Sequence, residues 1–255
     1  MVSLELAALI LIEISMLNIS HLLTSIRELY AVCPMFFLFV FLITYAIGEI
    51  RNRFKWHTGY TRKCFHFAIF TAAAVIQLIW SLPGVMLFGI LVSVFVVWAC
   101  IRGDRSRFYQ AIARPKDAPR QTLFIVLPLI STALGGFLSA ALFHEYAVYG
   151  YLVTGWGDAA AEPVGTRWGK HTYRVPSLGG IRAVRSLEGS VSVLLTGFAA
   201  CCLPGIFLSL NVHKVLFTAI ICAAAGTLIE SVSNHGLDNL TIQIGVSGAA
   251  YLTLT

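Results

Sequence analysis

Charge is what this sequence has least of. Asp, Glu, Lys and Arg make up only 12% of its 255 residues, against 58% hydrophobic ones, where an ordinary soluble domain carries about 25% charge. One soluble core of this size cannot hide so much apolar surface, so lipid must be part of the solvent. The chain also lacks Cys-x-x-Cys pairs. Nearly all of its six cysteines (Cys33, Cys64, Cys100, Cys201, Cys202 and Cys222) lie in or beside apolar runs, and they read as small packing residues rather than metal ligands or disulfides. No Lys or Arg precedes the first apolar run, which carries Glu5 and Glu13 instead. That is a poor signal peptide, so the run reads as a retained first helix. No internal repeat or linker divides residues 1–255, which read as a single integral-membrane domain.

What is present is a series of continuous apolar runs, with a mean hydropathy of +0.81. A crossing of the bilayer needs about 20 apolar helical residues. Runs without alternation favour helices over a barrel. The expected fold is therefore all-α, a polytopic helical membrane protein with about nine transmembrane helices. The spans fall at 3–20, 34–50, 64–80, 84–101, 121–143, 146–163, 187–208, 214–232 and 239–255. This count puts 16 of the 18 basic residues in loops 51–63, 102–120 and 164–186, all on one side. The positive-inside rule makes that side cytoplasmic and places the N-terminus there. Topology and anionic lipid heads account for the basic residues of loop 102–120. Nucleic acid is not an expected partner. The host membrane is a bacterial inner membrane, endoplasmic reticulum or a plastid membrane.

Four segments carry more than topology requires. In the first, Gly157-Asp158 to Gly169-Lys170, Asp158 and Glu162 are four residues apart and share one helical face. Only alanines separate them, and two oxygen ligands on one face suit a hard cation such as Mg²⁺. Pro163 follows, then Gly165 and Gly169, which permit a tight turn approaching a phosphate. Arg167, Lys170 and Arg174 supply positive charge. The bland alternative is a polar membrane-edge helix, yet carboxylates at a membrane boundary are costly and default to a functional reading. In the second segment, Ser186 caps a helix whose N-terminus suits phosphate, reinforced by Arg185. Glu188 there is either part of the cap or a metal ligand with Asp158. In the third, near Glu230, Asp238 is either an N-cap, a metal ligand or a base for a hydroxyl. In the fourth, Lys63 and His66 on one face are either snorkelling side chains or contacts to a phosphate or headgroup. All four segments share one side of the expected topology.

Taken in order, Arg62-Lys63 with His66, Gly157-Asp158 with Gly165 and Gly169-Lys170, Arg185-Ser186 with Glu188-Gly189-Ser190, and Asp238-Asn239-Leu240-Thr241 resemble a known family. It is that of dolichol kinase, the phytol and farnesol kinases and yeast-type diacylglycerol kinase, related to the phosphatidate cytidylyltransferases. The resemblance runs from residue 60 to 245. Gln243 stands where many members have Pro, and Arg185 where Lys is common. The resemblance implies a membrane enzyme moving the γ-phosphate of CTP, with a divalent cation, onto a lipid alcohol at the cytoplasmic face. On this reading Asp158 and Glu188 hold Mg²⁺; Glu162-Pro163 is not general to the family, and Glu162 enters as a further ligand on its spacing from Asp158 alone. Lys170, Arg174 and Arg185, with Gly157, Gly165, Gly169 and Ser186, receive the nucleotide. Asp158 or Asp238 handles the hydroxyl, and Lys63 and His66 close the site. Two other readings stay open. One is a CDP-lipid synthase attacking the α-phosphate. The other is a transporter or scaffold, although a transporter usually places ionisable groups near the midplane and only Glu13 sits there clearly.

Overall fold

The protein is described from a computed structural model, which covers residues 19–175, 183–234 and 236–255. Helix α1 spans Ile19–Phe54, α2 Thr58–Arg102, α3 Arg107–Ile112 and α4 Leu123–Phe143. Then come α5 (Ala147–Leu152), a π-helical turn (Val153–Gly157) and α6 (Asp158–Trp168). Strands β1 (Thr172–Val175) and β2 (Ala183–Ser186) precede α7 (Leu187–Phe207), α8 (Val212–Val232) and α9 (Asp238–Leu254). By length and composition, five helices among the described residues can cross a membrane.

Two of those five are folded back on themselves. Helix α2 breaks at Ser81 (φ 51°, ψ −152°), two residues before Pro83. Ile69 and Phe70 share a cavity wall with Val92 and Val96. An unbroken helix would hold Ile69 and Val92 roughly 35 Å apart at its 1.5 Å rise. The expected spans 64–80 and 84–101 are the two limbs of this hairpin. A similar break falls at His144 (φ 50°), and across it the Tyr151 hydroxyl donates to the Gly136 carbonyl at 2.7 Å. The expected spans 121–143 and 146–163 are its limbs, and 239–255 corresponds to α9. The expected span 3–20 lies outside the described residues except for its last two. The nine-span count is thus not what the helices alone give.

Small residues let these helices approach closely, as is common where lipid rather than water surrounds a bundle. Ala219, Cys222, Ala223, Val246 and Ala250 are fully buried where α8 and α9 meet. Cys201 and Cys222 sit in the same apolar core, in keeping with their reading as packing residues. On the outside, Ile79, Ile90, Leu195, Ile206, Leu228 and Val232 are exposed, a surface suited to hydrocarbon. The all-α expectation needs one correction. Within loop 164–186, β1 and β2 form an antiparallel hairpin pairing Thr172 with Ser186 and Tyr173 with Arg185.

Gly150 and Gly89 test the packing account. A Cβ on Gly150 would lie 3.1 Å from the Gln243 carbonyl carbon and closer still to its oxygen, whereas one on Gly89 meets nothing within 4 Å. Overpacking costs about 1–3 kcal/mol. Gly150→Ala should therefore lower the melting temperature in detergent by several degrees, and Gly89→Ala should leave it unchanged or slightly raised.

Candidate active site

The π-helical turn positions the first acidic residue. Its Gly155 packs against Phe70 of α2, and its Gly157 faces Val193 of α7, whose Cγ1 would lie 2.9 Å from an added Cβ. Glycines on both faces hold the turn between two helices, and such turns recur at functional sites. Asp158 follows at once and meets α2. Lys63 Nζ lies 2.6 Å from its Oδ1, and His66 Nε2 lies 3.3 Å from its Oδ2. His66 Nε2 is also 3.3 Å from the Thr154 carbonyl. Two acceptors face that nitrogen, so it is the one that carries a proton.

One helical turn on, Glu162 reaches Lys63 (3.6 Å), Arg114 (3.6 Å) and Lys116 (3.7 Å). Asp158 and Glu162 thus share a face, as their spacing requires. Arg114 is buried and also pairs with Asp117 at 2.7 Å. The Arg62 guanidinium lies on the same wall, and its buried Nη1 has no hydrogen-bond partner among the described residues. Across the cavity Arg185 bridges Glu230 (2.7 Å) and Asp238 (3.1 Å). These side chains line one cavity of about 330 Å³ at a single end of the bundle, together with Thr166, Thr172, Ser186 and Ser190. The four segments singled out in the sequence meet there.

Below the charges the wall turns apolar. A groove of about 700 Å³ runs between α2 and α4, lined by Ala73, Phe88, Gly89, Val97, Phe137 and their neighbours. Ile69, Phe70, Val92, Leu129 and Thr132 line both the charged cavity and the groove. Along the groove Ile90, Val94 and Trp98 are exposed, so it opens sideways toward lipid.

Several sequence-predicted residues lie elsewhere. Lys170 and Arg174 are exposed and outside the cavity lining. Glu188 accepts from the His171 backbone N–H and lies 2.8 Å from its Nδ1; it does not share the lining with Asp158. Ser186 does cap α7, its Oγ accepting from Gly189 N at 3.1 Å. Gly165 and Gly169 pack against it, their added Cβ atoms falling 2.9 and 2.8 Å from Ser186 Oγ. Close helix packing accounts for these glycines before any phosphate does. Arg114 and Lys116 were missed. Their signal was Arg114-Pro115-Lys116-Asp117, a proline-stiffened turn that presents two cations rather than a solvated run.

The acids are hard oxygen donors, right for Mg²⁺, which takes one or two carboxylates and fills its shell with water and phosphate oxygens. Among the described residues no three His, Cys, Asp or Glu side chains cluster to hold a metal alone. Asp158 and Glu162 therefore fit an ion that arrives with a polyphosphate.

A helical membrane protein that opens a charged cavity into an apolar groove has room for a polyanion beside a lipid tail. The comparison with known proteins gives the class. The chain is 34% identical over 207 residues to a phytol kinase of Synechocystis sp., covering 78% of this chain and 81% of that protein. It belongs to the phytol and dolichol type of lipid-alcohol kinases. No family profile and no solved structure matches it.

Arg185 gives a test of the site's electrostatics. Removing one partner of a buried pair costs about 3–5 kcal/mol, because a charge is stranded. Arg185→Met should lower the thermal midpoint sharply, since it strands Glu230 and Asp238. Adding Glu230→Gln should recover part of the loss.

Proposed function

We propose that this chain transfers the γ-phosphoryl group of CTP to the hydroxyl of a membrane prenol such as phytol, at the cytoplasmic face and with Mg²⁺ or another divalent cation. The continuity of the two cavities carries this reading. A triphosphate needs the charged one and an isoprenoid tail the apolar one, and five residues belong to both walls. The name of the Synechocystis relative supports phytol as the acceptor. The choice of CTP rests on the family resemblance. Sidedness rests on the gathering of 16 of the 18 basic residues on one side of a nine-span topology.

Phosphoryl transfer asks for alignment and charge neutralisation more than for covalent chemistry. Arg62, Arg114, Lys116 and Arg185 line the cavity and neutralise the triphosphate. Asp158 and Glu162 would hold the divalent ion, which when bound offsets charge on the β- and γ-phosphate oxygens. Lys63 and His66 fix the Asp158 carboxylate through its two oxygens. Asp238, steadied by Arg185, orients the alcohol and takes its proton. The alcohol oxygen bonds to the γ-phosphorus as the bond to the β,γ-bridging oxygen breaks, and CDP leaves. Lys170, Arg174 and Glu188 stand outside this scheme.

The test uses the purified full chain in detergent with Mg²⁺, γ-labelled CTP and a panel of lipid alcohols. Label should enter the lipid phase with phytol or another prenol. Asp158→Asn should remain folded and lose turnover by about a hundredfold or more. Near-normal activity in that variant overturns the assignment. With phosphatidate offered as the acceptor instead, a CDP-lipid formed with release of labelled pyrophosphate would make the protein a CDP-lipid synthase.

A further inference from the structure

The junction between the charged cavity and the groove contains one polar side chain. Of the five residues common to both walls, Ile69, Phe70, Val92 and Leu129 are apolar, and Thr132 is the fifth. A lipid alcohol has the same layout, one hydroxyl at the head of a hydrocarbon tail. With the tail in the groove, its oxygen reaches the level of Thr132.

Thr132 is also held in an uncommon way. A threonine inside a helix usually donates its hydroxyl to a carbonyl three or four residues back, as Thr71 does to Phe67 and Thr227 to Ala223. Thr132 does not. Its Oγ1 accepts from Asn239 Nδ2 at 2.7 Å, and among the described residues its own proton goes to no protein group. Asn239 is buried, and the nearly inaccessible Gln243 braces it from one turn further along α9. The Gln243 amide donates to the Asn239 carbonyl at 2.7 Å and reaches the Thr132 carbonyl at 3.3 Å. One acceptor lone pair of the hydroxyl is thus occupied from α9, and its O–H is left to donate to another group. Asp238, which lines the charged cavity, immediately precedes Asn239.

We infer that Thr132 is a catalytic residue that donates a hydrogen bond to the oxygen of the acceptor alcohol and sets its height between groove and cavity. This rests on the lipid-alcohol kinase reading above. The alcohol oxygen accepts from Thr132 and presents its own proton to Asp238, with one lone pair left to attack. Gln243 acts as a positioning residue through Asn239. Discrimination against a tail that ends in an ester or ether falls to Asp238, because such an oxygen still accepts from Thr132 but offers no proton.

Thr132→Val keeps the side chain's shape and removes the hydroxyl; Thr132→Ser keeps the hydroxyl. Both are measured in the full chain, with phytol varied at saturating CTP and CTP varied at saturating phytol. Thr132→Val is expected to lose about 10- to 100-fold in kcat/KM for the alcohol, with the KM for CTP unchanged, and Thr132→Ser to recover most of it. A thermal melt accompanies each variant, since Thr132→Val also leaves the Asn239 amide without its acceptor. A Thr132→Val enzyme with wild-type alcohol kinetics overturns the inference. So does a Thr132→Ser enzyme as impaired as Thr132→Val, or an equal rise in both KM values. If the unmodified protein phosphorylates no alcohol, the kinase reading fails instead, and the two failures are told apart by that control.

Discussion

The contact between Lys63 and Asp158 fixes the position of almost everything else in the site. In an apolar bundle a charge is tolerated only when it is paired or reaches water. Lys63 on α2 and Asp158 on α6 lie 2.6 Å apart, which sets how closely the two helices approach and in what register. That register carries His66 to the second oxygen of Asp158 and Lys63 toward Glu162. Glu162 in turn draws in the Arg114-Pro115-Lys116 turn. The charged wall is assembled outward from one pair, on a π-helical turn whose glycines leave it no freedom to drift.

Much of this was legible because the bilayer imposes strict rules. Continuous apolar runs declare helices, and the basic loops declare which helix ends lie together. The Asp158–Glu162 spacing declared a shared face, and both carboxylates do lie on one. Span counting gave the limbs of both hairpins, because each break falls where the sequence interrupts its apolar run, at Ser81-Leu82-Pro83-Gly84 and at His144-Glu145. Each break is made at one residue with positive φ, Ser81 or His144.

What stayed hidden was long-range. The charge on loop 102–120 looked like topology alone; the Arg114-Pro115-Lys116-Asp117 turn groups two cations, but nothing local shows that they face Glu162. Glu188 had the right distance along the chain to join Asp158, but His171 captures it through the β1–β2 hairpin. The glycines at 165 and 169 suggested a phosphate turn; their room is used by Ser186. In each case the composition was read correctly and the partner was not, since a contact between residues this far apart along the chain leaves no trace in spacing.

The sideways opening of the groove means that the reactants are counted in different units. A tail entering between α2 and α4 is drawn from a two-dimensional pool, so its effective concentration is a mole fraction of the membrane, diluted by other lipids and indifferent to the volume of the cell. A water-soluble donor would come from the opposite end of the same cavity. The chain is thus a meeting point between a surface and a solution.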